Sequence, residues 1–285
     1  MAITASLVKE LRARTNAPMM DCKKALEASG GDIDKAIEAM RSSGKAKAIK
    51  KADRVAAEGT VVIKQNDQAA AMLEVNCETD FVARDENFVT FSNNAAQAAL
   101  DNQIETIEAL KEAGSVEEDR LALVSKIGEN VQCRRVAYVK AQGKLATYLH
   151  GSKIGVVVDI EGGDEALGKD VAMHIAASKP QVIAPEDVDP AKRDAEKQVF
   201  IEQAKESGKP DDIVEKMVEG RVKKFLNEIS LLGQPFVKDP SVSVKQLLEQ
   251  HKARVIRFER FEVGEGIEKE ETDFAKEVME QAQGS

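Results

Sequence analysis

The order of predicted elements repeats along this chain, and the repeated unit is a β-hairpin followed by a helix. In the first copy, residues 58–76 predict a strand, a polar turn and a strand, and residues 85–100 place apolar side chains at helical spacing. In the second copy, residues 144–160 predict the hairpin and residues 164–180 predict the helix. Each hairpin with its helix needs a further strand to complete a stable sheet.

Two later segments are candidates for these third strands. Residues 134–140 (RRVAYVK) suit the first copy, and residues 255–264 (VIRFERFEVG) suit the second. The letters RFERFEV alternate with the period of two that a half-buried strand requires. We therefore expect an α+β fold whose core has two related subdomains, side by side, each with an antiparallel sheet.

The N-terminal residues 4–44 predict three short helices. The first break is the sequence TNAP at residues 15–18, and the second is Gly30-Gly31, after which Asp32 starts the third helix. The unit resembles the small three-helix ubiquitin-associated type. Its expected core is Leu7, Leu11, Ala25, Leu26, Ile33, Ala36, Ile37 and Met40.

A basic segment, residues 41–54, follows this unit and has six basic residues against one acid. We expect a flexible, positive linker or a frayed helix. Two interpretations remain open for its charge, because a charge run alone decides little. The segment is either solvated or docks to an acidic surface.

An inserted pair of helices is predicted between the second copy's helix and its last strand. The two helices meet at Gly208-Lys209-Pro210 and form an antiparallel hairpin. The second has an apolar stripe with steps of three or four residues, namely Val214, Val218, Val222, Phe225, Ile229 and Leu232. Residues 267–281 predict a final acidic amphipathic helix.

These elements divide the chain into five expected parts. They are an N-terminal ubiquitin-associated-like helical domain with the basic linker (1–54), a core N-subdomain (55–140), a core C-subdomain (141–179 and 233–263), the inserted helical hairpin (180–232) and a C-terminal helical module (264–285).

Composition argues against several classes of function. The net charge is −9, whereas nucleic-acid affinity comes largely from Lys and Arg on phosphates, so we expect no direct nucleic-acid binding. No run of about 18 apolar residues is present, so we expect no membrane span. The N-terminus MAITASLVKELRAR has charges where a signal peptide needs its apolar block, which predicts a cytoplasmic protein.

Residues with chemistry to offer are few and scattered. The three Cys and three His have no zinc spacing, so no metal or cofactor is expected. Cys77 has no His nearby in the sequence and is expected to be an ordinary buried thiol. His174 is expected to be packed and hydrogen-bonded, and His251 to be solvated. His150 is expected at a hairpin tip, where side chains meet partners.

Four long blocks of sequence carry a family resemblance. They are LRARTNAPMMDCKKAL (11–26), LEVNCETDFVAR (73–84), KMVEGRVKKFLNEISLLGQPFV (216–237) and RFEVGEGIEK (260–269). In this order they resemble the bacterial elongation factor Ts family over essentially the whole chain. The chain departs from the family pattern at Asn16 and Pro18, where we expect a modest change in the turn between helices, and at Glu78, which replaces a common Gln and adds charge.

The resemblance implies a function without covalent chemistry. It implies guanine-nucleotide exchange on elongation factor Tu, the GTPase that carries aminoacyl-tRNA in translation. By resemblance, the Asp80-Phe81 pair is pushed into the nucleotide domain of the GTPase, where Phe81 wedges between helices near the magnesium ion. Asp80 holds the displaced backbone and orients the Phe. The implied contact segment is Thr79, Asp80, Phe81, Val82, Ala83 and Arg84.

Further partner contacts are also implied by position. Met19, Met20 and Lys23 match residues that grip a helix of the GTPase domain, although core packing would explain at least one of the two Met equally well. Lys51 is expected at the same surface. Ile127 would support the Phe81 insertion, and His150 would meet the far domain of the partner.

Several alternatives remain open from the sequence. Phe81 could instead plug its own core, and the chain could be an interaction scaffold without exchange activity. Two further alternatives are an enzyme that uses Cys77 or His150, and an RNA-binding role for residues 41–54. The helical hairpin either forms a dimer contact, giving a dimer of heterodimers, or uses up its apolar stripe internally.

Overall fold

The computed structural model describes residues 3–15, 17, 19–206 and 210–268. It combines helices with antiparallel sheets, so the predicted α+β class is confirmed. The chain begins with three helices, α1 (Ala5–Thr15), α2 (Met19–Ala28) and α3 (Ile33–Lys51). The carboxylate of Asp32 caps α3 by accepting a hydrogen bond from the Lys35 N–H at 3.0 Å, as a residue at a helix start should.

The three N-terminal helices share one small apolar cluster. All eight core residues predicted for this unit lie in it, and Val8 and Cys22 are buried there as well. A cluster of this size buries little apolar area, and α3 adds contacts with α7 to it.

The first half of the core follows the order predicted for it. Its elements are β1 (Glu58–Gln65), β2 (Ala69–Cys77), α4 (Asp80–Ala83), α5 (Glu86–Asp101), α6 (Ile107–Glu112), α7 (Val116–Ile127) and β3 (Gln132–Lys140). The sheet order is β1-β2-β3, all antiparallel, and α5 covers β1 and β2. Helices α6 and α7 lie in a stretch for which no element was predicted.

The second half repeats this topology. Its elements are β4 (Lys144–His150), β5 (Ile154–Glu161), α8 (Glu165–Ser178), α9 (Pro190–Lys205), α10 (Asp211–Ile229), β6 (Pro235–Phe236), β7 (Asp239–Ser243), α11 (Val244–Gln250) and β8 (Arg254–Glu262). The sheet order is β4-β5-β8, and α8 covers β4 and β5. In both halves the third strand therefore pairs with the second strand of the hairpin. The short β6–β7 pair was not predicted.

The two sheets meet through their inner faces. Alternate residues of β2 pack on opposite sides, so that Leu73 faces α5 while Met72 faces the other sheet. Gly155 permits this close approach, because a Cβ there would lie 2.5 Å from Cγ1 of Val61 and 3.0 Å from Sδ of Met72. The subdomains predicted to lie side by side are thus joined by a shared apolar layer, which includes Val157 of β5.

A buried carboxylate adds a polar connection between the sheets. Glu74 on β2 is fully buried and accepts hydrogen bonds from Arg135 Nε at 2.5 Å, Arg134 Nη1 at 3.1 Å and the Gly264 N–H at 2.8 Å. Arg135 in turn donates to the carbonyl of Glu262 at the end of β8. One carboxylate therefore connects β2 and β3 to the chain that leaves β8.

The basic segment 41–54 is not a linker over most of its length. Helix α3 continues to Lys51 and packs on α7, with Arg41 Nη2 3.1 Å from the carboxylate of Glu118. Ala48 is buried in the core of the first subdomain, and the small Gly44 lies against the backbone of α7. The prediction of a flexible linker is therefore wrong. Gly44 and Ala48 are small and lie four positions apart, so they give α3 a face that packs on the first subdomain.

The inserted helices form the predicted hairpin. On α10, Val214, Val218 and Val222 pack against α9, and the rings of Phe200 and Phe225 meet edge to face at 6.4 Å. The stripe is therefore largely used inside the hairpin. The predicted junction includes residues 208 and 209, and most of the predicted tail helix falls beyond residue 268, so both lie outside the described residues.

His174 is packed and hydrogen-bonded, as predicted. The Val237 N–H donates to its Nδ1 at 3.2 Å, which leaves Nε2 to donate to the Gln234 side-chain oxygen at 2.9 Å. This arrangement requires the neutral ring. Burial lowers the pKa of His174 below its ordinary value because the charged form is poorly solvated.

A pH dependence of stability follows from His174. Its pKa is lower in the folded chain than in the unfolded chain, so its contribution is complete above the unfolded value of about 6.5 and is lost as pH falls toward the folded value. We expect His174→Gln to weaken the dependence of the urea midpoint on pH between about 7.5 and 5. His251→Gln, at an exposed site, should keep the wild-type slope. Equal slopes for all three proteins would contradict this prediction.

Candidate functional site: the Phe81 turn

The segment Thr79–Arg84, called here the Phe81 turn, is a single turn of helix directly after β2. The Thr79 hydroxyl accepts a hydrogen bond from the Val82 N–H at 3.4 Å and so caps α4. The Arg84 N–H closes the turn on the carbonyl of Phe81. The segment is therefore an ordered helical turn, with a cap at its start and a closing hydrogen bond at its end.

Some side chains of this turn pack on the core, and one projects into solvent. Ala83 is buried and Val82 is half-buried, and both pack on the first subdomain's core. Phe81 is 83 % exposed, the most exposed large apolar residue among those described. The alternative in which Phe81 plugs its own core is therefore wrong. An apolar ring held in solvent on an anchored turn is suited to contact with another molecule.

Asp80 and Arg84 pair across the outer face of the turn. The Arg84 Nη2 lies 3.2 Å from the Asp80 carboxylate, and both side chains are well exposed. An exposed pair of this kind contributes about 0–1 kcal/mol. Both groups can therefore exchange this contact for others without a large loss of stability.

A carboxylate from a distant part of the chain holds the start of the turn. Oε2 of Glu129 accepts hydrogen bonds from the N–H groups of Glu78 and Thr79, both at 3.0 Å, and its Oε1 accepts from the Thr79 hydroxyl at 2.7 Å. Glu78 reciprocates by accepting from the Asn130 N–H at 2.6 Å. The carboxylate of Glu78 thus connects its own segment to Asn130. Its Oε2 also lies 3.5 Å from Nη1 of Arg54.

The same distant segment also holds the end of α3. The Asn130 side-chain amide donates to the carbonyls of Ala52 at 3.3 Å and Arg54 at 2.8 Å. The ammonium of Lys51 donates to the carbonyl of Gly128. The Lys51 ammonium therefore makes a hydrogen bond within the chain. Its predicted contact with a partner surface remains a prediction.

Comparison with known proteins identifies the family. A family model described as Elongation factor TS matches residues 78–265, which is more than half of the chain. The chain belongs to the elongation factor Ts family. Elongation factor Ts of Thioalkalivibrio sulfidiphilus is 56 % identical with both chains covered completely. Elongation factor Ts of Legionella pneumophila strain Paris is 54 % identical over 98 % of each chain, and that of Francisella tularensis subsp. novicida is 55 % identical over 99 % of each.

The other contact residues that the resemblance implies lie on three separate elements. Met19 and Met20 at the start of α2 are 51 % and 60 % exposed, so the interpretation of one of them as core is wrong. Lys23 is exposed on the same helix. Ile127 is half-buried at the end of α7 and leads directly to the segment that holds the Phe81 turn. His150 is exposed at the end of β4, on the second sheet.

The three thiols of the chain are poor nucleophiles. Cys22, Cys77 and Cys133 are all buried. Burial raises the pKa of the Cys77 and Cys133 thiols to about 12, so neither is ionised near neutral pH. The expectation of an ordinary buried thiol at Cys77 is confirmed, and the enzyme alternative that uses it loses its nucleophile.

Among the described residues, no group of three His, Cys, Asp or Glu side chains is arranged to hold a metal ion. No helix in the described part of the chain is both long and apolar enough to cross a membrane.

Proposed function

We propose that this chain acts as a guanine-nucleotide exchange factor for elongation factor Tu, and that the Phe81 turn is the part that loosens the nucleotide. Family membership supports the first statement, because elongation factor Ts proteins are exchange factors of translation elongation. The observation that carries the second is an exposed Phe81 on a turn whose neighbours are anchored in the core.

The free energy available from the Phe81 ring sets a limit on how it can act. Burying one Phe contributes about 1.5–3 kcal/mol, which is too little to compete with a tightly held nucleotide directly. The ring therefore has to act on a sensitive part of the partner. Bound Mg²⁺ is such a part, because it demands near-ideal octahedral geometry and bridges the phosphates.

In the proposed mechanism, Phe81 enters between partner helices near the magnesium ion and displaces its ligands slightly. Asp80 exchanges its contact with Arg84 for hydrogen bonds to the displaced partner backbone. The ion is lost and the nucleotide is then held weakly. By linkage, a nucleotide that returns weakens the hold of this chain by the same factor, so GTP can eject it.

The remaining contacts extend this proposal. Met19, Met20 and Lys23 grip a helix of the GTPase domain, with Lys51 near the same surface, and His150 meets the far domain. The chain needs no cofactor and makes no covalent bond. The proposal also includes the five-part division with a ubiquitin-associated-like N-terminal unit, and action in the cytoplasm without nucleic acid or membrane. A dimer of heterodimers is not part of it, because the apolar stripe of α10 packs largely within the hairpin.

A nucleotide-release assay tests the function. Elongation factor Tu is loaded with fluorescent GDP and chased with excess unlabelled GDP, with and without this chain. We expect faster release with the chain, and less acceleration as free Mg²⁺ rises, because the ion and the turn oppose each other. Tight binding without acceleration would leave an interaction scaffold as the better description.

A further inference from the structure

The carboxylate of Glu129 occupies a position that no short-range sequence signal reveals. It follows Gly128, which ends α7 in the left-handed conformation with φ of 88°, so the chain reverses and points Glu129 back toward the end of β2. It is half-buried there and accepts three hydrogen bonds from Glu78 and Thr79, the two residues between β2 and α4.

The three donors to Glu129 are the groups that determine where the Phe81 turn begins. Two are the backbone N–H groups of Glu78 and Thr79, which lie beyond the last residues of β2 that pair with β1 and β3. The third is the hydroxyl of Thr79, the same group that caps α4. Hydrogen bonds to a charged acceptor are stronger than neutral ones, so one carboxylate fixes both backbone and cap.

The Phe81 ring has no comparable support of its own. It is exposed, and its neighbour Asp80 makes an exposed pair with Arg84. The direction of the ring therefore depends on where the helical turn starts and on its anchor at Val82 and Ala83. Glu129 controls the start without reaching the outer face of the turn.

We propose that Glu129 is a positioning residue for nucleotide exchange, which holds the Phe81 turn in the geometry that enters the partner. This inference rests on the proposed exchange function. Glu129 acts through Thr79 and the backbone of Glu78, and it makes no contact with the nucleotide or the ion. A side chain that fixes the position of the Phe81 turn affects the rate of GDP release, because a misplacement of about 1 Å can lower a rate by up to a hundredfold.

The test compares Glu129→Ala with Glu129→Gln. Alanine removes every acceptor, whereas glutamine keeps one oxygen for the two N–H groups and offers its amide to the Thr79 hydroxyl. We expect the maximal rate of GDP release to fall about tenfold in Glu129→Ala and to recover largely in Glu129→Gln. The concentration for half-maximal release should change by less than about threefold. Glu112→Ala, an exposed acid at the end of α6, is the matched control and should behave as wild type.

Two further measurements separate positioning from a general loss of stability. In Glu129→Ala, the N–H groups of Ala83 and Arg84 should exchange with solvent faster, because they close the turn on Thr79 and Phe81. In the double variant with Phe81→Ala, the loss in rate should be smaller than the sum of the two single losses, because Glu129 acts through the turn that carries the ring. If Glu129→Ala does not fold, Thr79→Val removes only the hydroxyl and is measured in the same way.

The outcomes distinguish this inference from the function on which it rests. If wild type does not accelerate GDP release, the proposed function fails. If wild type does so and Glu129→Ala matches it in rate and amide protection, the positioning role is overturned. Losses that add in the double variant would also overturn it.

Discussion

Replacing Phe81 with alanine is expected to slow GDP release from elongation factor Tu by about ten- to hundredfold when elongation factor Tu is saturated with the variant. The ring contributes about 1.5–3 kcal/mol when it is buried in a partner, and each 1.4 kcal/mol corresponds to a factor of ten in rate. Release of fluorescent GDP in a stopped-flow instrument measures the loss directly. The assay requires saturation with each variant, so that binding and acceleration are separated.

Folding of the Phe81→Ala variant should be unaffected. Phe81 is 83 % exposed, so its removal leaves no cavity and should change the free energy of unfolding by less than about 0.5 kcal/mol. Val199→Ala, at an exposed apolar residue on α9, is the matched control and should retain wild-type release. A Phe81→Ala variant that releases GDP as fast as wild type would remove the wedge from the mechanism.

Glu74→Gln is expected to cause the largest loss of stability, about 3 kcal/mol in the free energy of unfolding. Removing one partner of a buried ion pair leaves uncompensated charge, which costs about 3–5 kcal/mol. The lower end applies, because the side chains of Arg134 and Arg135 are 26 % and 28 % exposed and can recover some hydration. Urea unfolding followed by circular dichroism measures the change.

A nearby carboxylate provides the control for Glu74. Glu265 also pairs with Arg135, at 3.1 Å, but its side chain is far more exposed. Glu265→Gln should therefore lose less than about 1 kcal/mol. If Glu74→Gln were as mild as Glu265→Gln, the carboxylate of Glu74 would not be a principal connection between the two sheets.

Local patterns were enough to predict the repeated hairpins and helices of the core. The period of two in residues 255–264 predicts β8, and the apolar steps of residues 85–100 predict α5, because each element shows one face to a core. The sequence of α3 also contains a pattern of small residues that predicts a packed helix face. The six basic residues of segment 41–54 led instead to the prediction of a linker. Gly44 and Ala48 lie one helical turn apart, and this small-residue face packs on α7.

The arrangement around the Phe81 turn could be predicted only in part. The resemblance identified Phe81, but nothing in the sequence distinguishes a projecting ring from a buried one until the neighbours are placed. Glu129 is separated from Thr79 by 50 positions in the chain. A contact of that kind depends on how α7 returns to β2, and no spacing rule for helices or strands contains that information.

The continuous α3 has a consequence for how the chain holds its partner. Helix α2 packs on α3, α3 packs on α7, and the residues after α7 hold the Phe81 turn. The exposed methionines and Phe81 are therefore connected through packed helices. In the proposed complex, a chain bound through the methionines presents Phe81 at an effective concentration set by this connection rather than by the protein concentration. Substitutions that weaken the packing of α3 on α7 would reduce this advantage while leaving every contact residue in place.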